Sequence, residues 1–540
     1  MIVTSRYRSR SVSVFALASA GAVLMSGCTA EDPGARGDSD TYTHVLPAHV
    51  LHEWDPALMY EGEPLVLSNV YETLTYYDPE SEEVEPRLAE DWEVSGDGEE
   101  WTFELNDDVT FHSGEPLTAT AVQEAIERTM ELEGGAAYLW DAVESIEAPS
   151  EDTVVFELAY AAPLDLITSA AYGAFIYEIP DDVPEDPFDE EQAEQSPFHG
   201  QGWGTGPYEI DEFNPGDEME AILESHEDYW RGWDGDEFQQ VQYQVVPEES
   251  TAAQLLESGE VDSAQTLSSQ IIDSVANEDH LEVLEEDSLQ NLFALFNTAG
   301  GPLADEQVRE AVMHGINYSE LIEATEGSLS TSEGVVPDGP FGSDTDNQLP
   351  QYDPERAEEL MEEAGYDLDS DIVQLELTYN EGEPDQATVA ELIQSHLSSI
   401  NIEVEVSGLP YETGQMAMAQ EEDPEDRQDI FLWWWWPDNA EANAWYSAMF
   451  HSEEEPTMNL SYYSNPDMDE LIAEVSEQTA TDEDAAQDIY AEMESYIIDD
   501  AVAAPLGEVQ YRRVVRSDVE NFVDNPLYAE TIFPYEMSRS

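Results

Sequence analysis

Lysine is missing altogether from this chain, and fourteen arginines face 125 acidic residues, for a net charge of −111 over 540 residues. Binding to a phosphate backbone needs clustered cations, so nucleic acid is excluded as a partner. The single cysteine, Cys28, leaves no disulfide framework and no thiolate metal cluster. There is no short internal repeat and no second apolar run beyond the N-terminus. The G-x-S-x-G elbow, the Walker loop, the dinucleotide fingerprint and H-E-x-x-H are also lacking, so no catalytic machinery and no cofactor is expected. His44, His49 and His52 carry nitrogens suited to a metal such as nickel, but they match no helical i, i+4 pair and no tight metal loop. They read as ordinary strand or surface histidines.

What is present begins with an address. Arg6, Arg8 and Arg10 precede a short apolar stretch that ends Leu24-Met25-Ser26-Gly27-Cys28. A basic start, an apolar centre too short for a comfortable membrane span and small residues before a cysteine resemble a lipobox, in which the cysteine is lipidated and becomes the first mature residue. Residues 1–28 are therefore expected to be a lipoprotein signal peptide, and the polar residues 29–41 a flexible tether. Removing residues 1–28 leaves eleven arginines against 125 carboxylates, a net charge of −114. The chain is nevertheless 41% hydrophobic and 10% aromatic, enough for large cores rather than disorder. Such a surface fits a salt-rich medium, where the Debye length shrinks to about 3 Å.

Strand and helix patterns alternate along the folded part, which favours an α/β class of two or three domains. Residues 101–105, Trp-Thr-Phe-Glu-Leu, alternate with period two, and Val109-Thr110-Phe111 reads as a second half-buried strand. Thr118 is a plausible N-cap for a helix over 119–130. Farther on, Leu375–Tyr379 and Ile402–Val406 read as parallel strands around a helix over 386–398. A helix from Pro354 to Ala364 should stop at Gly365.

From Leu88 the run LAEDWEVSGDGEEWTFELNDDVTFHSGEPLTATAV, then Gly204-Thr205-Gly206-Pro207-Tyr208, His226-Glu227-Asp228-Tyr229-Trp230, 255–262 (LLESGEVD), Phe296-Asn297-Thr298, Asp305–Val312, 352–366 and Tyr463-Ser464-Asn465-Pro466 follow one another in a fixed order. Together they resemble the family 5 solute-binding proteins of ABC importers, the oligopeptide- and dipeptide-binding proteins. Asn106 stands where that family usually has Lys or Arg. The resemblance implies an α/β, two-lobed periplasmic-binding-protein-like fold of type II with an extra inserted subdomain and a hinge-closing cleft. It places one lobe at 42–290 with the insertion at about 76–200, a second at 291–503, and a C-terminal return at 504–540. Strand-like crossings near 289–296 and 503–510 would join the lobes.

Residues 431–439 read Phe-Leu-Trp-Trp-Trp-Trp-Pro-Asp-Asn. The resemblance implies that Asp438 anchors a peptide's α-ammonium, that Trp434 and Trp436 pair with the peptide backbone, and that Trp435 forms a packing wall. Glu63 would offer backbone groups from the other lobe. After Asp438 the family often has an acidic residue and Pro, whereas Glu441 here precedes Ala442. These tryptophans also suit a buried strand, with Asp438 capping a turn. The implied role is a lipid-anchored extracytoplasmic receptor, a monomer that passes peptides to a permease with its ATPase subunits. An oligosaccharide, nickel or haem ligand is the alternative, and a cell-surface hydrolase or adhesin a more distant one.

Overall fold

The computed structural model describes residues 40–540, apart from 60–61, 80, 82, 185–186, 194, 217, 266, 344–346, 367–371, 454–456 and 529. Cys28, the signal segment and nearly all of the tether lie outside these residues. Among the described residues no helix is long and apolar enough to cross a membrane.

One mixed sheet of eleven strands runs through both lobes. At its first end Thr41–Leu46 lies parallel to Gln240–Val245 and to the short Ser263–Ala264, and the antiparallel strands Met219–Ser225 and Tyr208–Phe213 complete the edge. At its far end Val373–Asn380 lies parallel to Ile402–Leu409, with Pro384–Ser398 as the crossover helix. Two long antiparallel strands, Leu281–Phe296 and Ala503–Arg516, link these halves, and Ile430–Trp435 pairs with the former. Their ladder breaks between Asp287 and Asn291, where Ser288 Oγ donates to the Val509 carbonyl at 2.9 Å. The crossings expected near 289–296 and 503–510 are thus parts of longer strands, with the irregularity at the point where a bend costs the fewest backbone bonds.

The Gly204-Thr205-Gly206 segment shows why the motif needs glycine. A Cβ on Gly204 would lie 2.1 Å from the Val70 carbonyl oxygen, and one on Gly206 2.7 Å from that of Asn69. This close approach lets Gly206 N–H donate to Val70 and Tyr208 N–H to Asn69, locking the start of Tyr208–Phe213 to the loop after Pro64–Leu67.

A separate four-stranded antiparallel layer, Ala89–Val94, Glu100–Leu105, Thr153–Leu158 and Val143–Glu147, carries the helix Ala119–Leu132 on one face. Trp101, Phe103 and Leu105 alternate inward as period two requires, and Thr118 Oγ1 accepts from Ala121 N–H as the N-cap. Val109-Thr110-Phe111 does not extend as a strand. It forms a tight loop, with Phe111 N–H donating to Glu115 and Leu117 N–H to Val109, because Gly114 adopts a left-handed turn at φ +85°.

The last residues pack back against strand Thr41–Leu46. Asp262, wholly buried, accepts from Thr43 N–H at 2.7 Å and pairs with Arg539 at 2.9 Å and Arg516 at 3.6 Å. Arg539 also donates to the Thr41 carbonyl, so strand Thr41–Leu46 is fastened by the C-terminus.

Candidate functional site

Ile430–Trp435 forms because β-branched and aromatic residues suit a strand covered on both faces. Phe431 and Trp433, with Trp435 half-buried, pack into a core shared with Tyr172 and Trp445. Ile430, Leu432 and half-buried Trp434 pack the opposite way, into a separate core with Leu375, Leu377, Ile402 and Val404. The tryptophan run therefore splits between two cores instead of lining one wall.

On one edge this strand pairs along its whole length with Leu281–Phe296, while on the other it meets Val373–Asn380 only at Ile430 and Phe431. Gln415 Nε2 bridges the carbonyls of Thr378 and Leu432 on that second edge. Backbone groups alternate in direction along a strand, so Trp434 turns its N–H and carbonyl to the same edge as Leu432, beyond the last paired residue. Strand Ile430–Trp435 has ended by Trp436, whose side chain is 45% exposed.

A cavity of about 430 Å³ opens here. Pro64, Leu65 and Tyr172 line one side, Trp434, Trp436, Glu383 and Asp385 the other, and Gln290, Val509 and Gln510 of the crossing strands lie between. That volume is ordinary for a small-ligand site. Three carboxylates, Glu383, Asp385 and Glu530, share the lining with Arg512 and Arg513. Burial raises the Glu383 carboxyl; the Trp434 indole N–H at 3.3 Å tempers this, and Glu530 and Asp385 push it higher.

Asp438 sits half-buried past the end of the strand. Its Oδ1 accepts from the Tyr172 hydroxyl at 2.5 Å and its Oδ2 from the Tyr138 hydroxyl at 2.6 Å. Burial raises its pKa and the two hydroxyls restrain the rise. Tyr172 is itself part of the cavity wall, whereas Asp438 is not among the lining residues: its carboxylate sits behind Tyr172. Neither tyrosine was singled out by the sequence: they lie 266 and 300 residues away, in unremarkable context.

The other expected residues fall as follows. Trp435 stands on the Trp433 side, with ring centroids 5.1 Å apart. Glu63 is buried, its Oε1 accepting from Glu53 N–H at 3.0 Å and its carbonyl taken by Val66 and Leu67 N–H, so Pro64 and Leu65 rather than Glu63 reach the cavity. His44 and His49 do not converge: their Nδ1 atoms meet Ser263 Oγ at 2.7 Å and Glu220 Oε1 at 3.2 Å. No group of three metal-ligating side chains occurs among the described residues.

Three residues past Asp438, Glu441 is buried against the Tyr490 hydroxyl at 2.5 Å. Burial pushes its pKa from 4.5 up to about 7, with the hydroxyl holding it back. The folded state holds this proton more tightly than the unfolded chain does. The group's contribution is therefore complete below pH 4.5 and is lost as pH rises to about 7. The loss is about 3 kcal/mol at roughly 1.36 kcal/mol per pKa unit. Melting in molar NaCl should show wild type losing stability across that window, whereas Glu441→Gln keeps it; identical slopes for the two proteins would refute the assignment.

Comparison with known proteins gives a consistent likeness. Residues 83–456 match the family described as Bacterial extracellular solute-binding proteins, family 5 Middle. The probable D,D-dipeptide-binding periplasmic protein DdpA of Escherichia coli is 26% identical over 495 residues, covering 90% of this chain and 92% of that protein. Heme-binding protein A of Haemophilus influenzae is 23% identical over 527 residues, covering 92% of each. Among solved structures, the ABC transporter substrate-binding protein CtaP of Listeria monocytogenes superposes with a TM-score of 0.80 at 19% identity, over 93% of this chain and 99% of that one, a likeness of fold.

Proposed function

Because the chain belongs to the bacterial extracellular solute-binding proteins of family 5, we propose that it captures short peptides in the cavity between its lobes and delivers them to the permease and ATPases of an ABC importer. Lipid on Cys28 would hold it to the outer face of the membrane. The proposed lobes are 42–290, 291–503 and the return 504–540, bending where the long ladder breaks near Asp287.

The observation that carries the peptide reading is Asp438, a carboxylate raised by burial and held by two tyrosines from the first part of the chain. A carboxylate in such surroundings gains most from a cation, and an α-ammonium supplies one with three donors. Tyr138 and Tyr172 belong to the proposed first lobe and Asp438 to the proposed second, so a ligand that binds against this contact would favour the closed arrangement and shift the lobes towards it. The free edge at Trp434 fits an extended peptide laid alongside as an added strand, which gives affinity with little demand on side chains. The dipeptide relative supports this reading. The haem relative and the aromatic lining of Tyr172, Trp434, Trp436, Tyr511 and Tyr528 support a second, a flat or ring-shaped solute stacked on aromatic faces.

Asp438→Asn separates them. Asparagine can still accept from one tyrosine hydroxyl through Oδ1 and donate to the other through Nδ2, but it carries no charge, so affinity for peptides with a free amino terminus should fall by about 100-fold, on the scale of a desolvated ion pair. N-acetylated peptides should bind wild type and variant equally weakly. Calorimetric titration showing undiminished binding to Asp438→Asn would remove the ammonium role and leave the stacked solute.

A further inference from the structure

Arg513 is one of only eleven cationic side chains in the mature sequence, and it lies in the cavity wall at 5% exposure. Strand Ala503–Arg516 sets its position through pairing with Leu284. Its Nε donates to both carboxylate oxygens of Asp524, at 3.1 and 3.2 Å, and its guanidinium carbon lies 4.6 Å from the centre of the Tyr511 ring. Nη1 faces Glu530 Oε1 at 3.7 Å. Nη2 is buried and has no hydrogen-bond partner among the described residues. A guanidinium is a rigid fork of donors, and leaving one arm unmet in a dewatered place is costly enough that it calls for a reason.

We propose that Nη2 of Arg513, closed off from solvent in this structure, is uncovered as a ligand enters and donates to an uncharged oxygen of that ligand, a backbone carbonyl where the ligand is a peptide, and that the cleft therefore does not require a free C-terminal carboxylate. The peptide part rests on the function proposed above. Charge decides between the two kinds of oxygen. Asp524, wholly buried, and Glu530 already set two carboxylates against this one cation. Glu383 and Asp385 add two more to the same lining. A ligand carboxylate would bring a further negative charge into the cavity, where low dielectric magnifies repulsion. A carbonyl satisfies the same donor and leaves the local charge unchanged. Arg512 offers no substitute anchor, because its guanidinium is spent on Asp273 at 3.4 Å, Glu285 at 3.3 Å and the Glu326 carbonyl at 3.1 Å. The ligand is thus held by its cation at Asp438 and by a neutral oxygen at Arg513.

The test uses the mature protein in molar NaCl, with pooled di- to tetrapeptides prepared as free acids and as C-terminal amides, read by native mass spectrometry and calorimetry. Arg513→Gln alone strands Asp524 as a buried unpaired charge, so Arg513→Gln/Asp524→Asn is made beside it, with circular dichroism to establish folding. Wild type should bind acid and amide forms with affinities within a few-fold, and the double variant should weaken both by the same factor, about 10-fold or more for one charge-assisted hydrogen bond. A folded double variant that binds like wild type overturns the inference and leaves the peptide reading in place. Selective loss of the amides by wild type also overturns it, by making Arg513 a carboxylate anchor. Failure of wild type to bind either form overturns the peptide reading and this inference together.

Discussion

Transferred from molar NaCl to about 0.01 M, the mature chain is expected to lose its fold, because the Debye length then grows from about 3 to about 30 Å and surface carboxylates begin to repel one another across whole elements. The helix Pro354–Glu363 shows the local problem. It carries Glu355, Glu358, Glu359, Glu362 and Glu363 with Arg356 as its only cation. That one guanidinium lies 3.5 Å from Glu310 and 3.7 Å from each of Glu359 and Glu363, so it is already shared among three acids. The remaining i, i+4 pairs of glutamates each cost roughly 0.2–0.5 kcal/mol when unscreened. With 125 carboxylates in the chain, such terms recur on most faces and compete with a folding margin of only about 5–15 kcal/mol. Tryptophan fluorescence and circular dichroism during stepwise dilution should report cooperative unfolding that added salt reverses and an uncharged osmolyte does not. A melting midpoint indifferent to NaCl would show that burial alone outweighs the repulsion.

Trp445→Ala should lower the unfolding free energy by about 4–8 kcal/mol even in high salt. Trp445 is fully buried at the heart of the core shared by the two halves. Its removal takes about 3–5 kcal/mol through lost contacts and the cavity left behind. Its indole N–H also donates to Asn291 Oδ1 at 3.1 Å, and Asn291, buried too, donates in turn to the Val335 carbonyl at 2.9 Å. An unmet Asn291 acceptor adds about 1–3 kcal/mol. Asn291 is the residue at which the long ladder resumes after its break, so the damage falls where the two halves join. Trp445→Phe should retain most of the packing and lose mainly the hydrogen bond, and chemical unfolding of both variants gives the comparison. Equal losses for Phe and Ala would mean that the bond, not the volume, holds this joint.

The parallel unit Val373–Asn380, Pro384–Ser398 and Ile402–Leu409 was legible because alternation and a single amphipathic helix are local signals. Thr118 as a cap was legible for the same reason. Arg309 was not: a charged residue on a helix reads as a surface partner, yet it is buried and donates to the carbonyls of Leu303, Asp500 and Ala501. Its partners are acceptors without side-chain identity, some of them nearly 200 residues away, and composition cannot mark them. The site divides in the same manner. Asp438 and Trp434 stand out in a run of tryptophans, whereas Tyr138, Tyr172 and Arg513 acquire meaning only from what the fold sets beside them. Val109–Phe111 misled because three alternating residues satisfy a strand pattern that Gly114 then turns into a loop.

The Asp262 cluster also sets a timetable. The chain is made from its N-terminus, and the Thr41 carbonyl must wait for Arg539, 498 residues later. At about 5–20 residues per second that interval is roughly 25–100 s. Until the last residues emerge, Asp262 lacks both of its arginines and strand Thr41–Leu46 has no clasp. Strand Thr41–Leu46 thereby stays without this fastening for as long as the chain is being made, and gains it only when the last residues are in place.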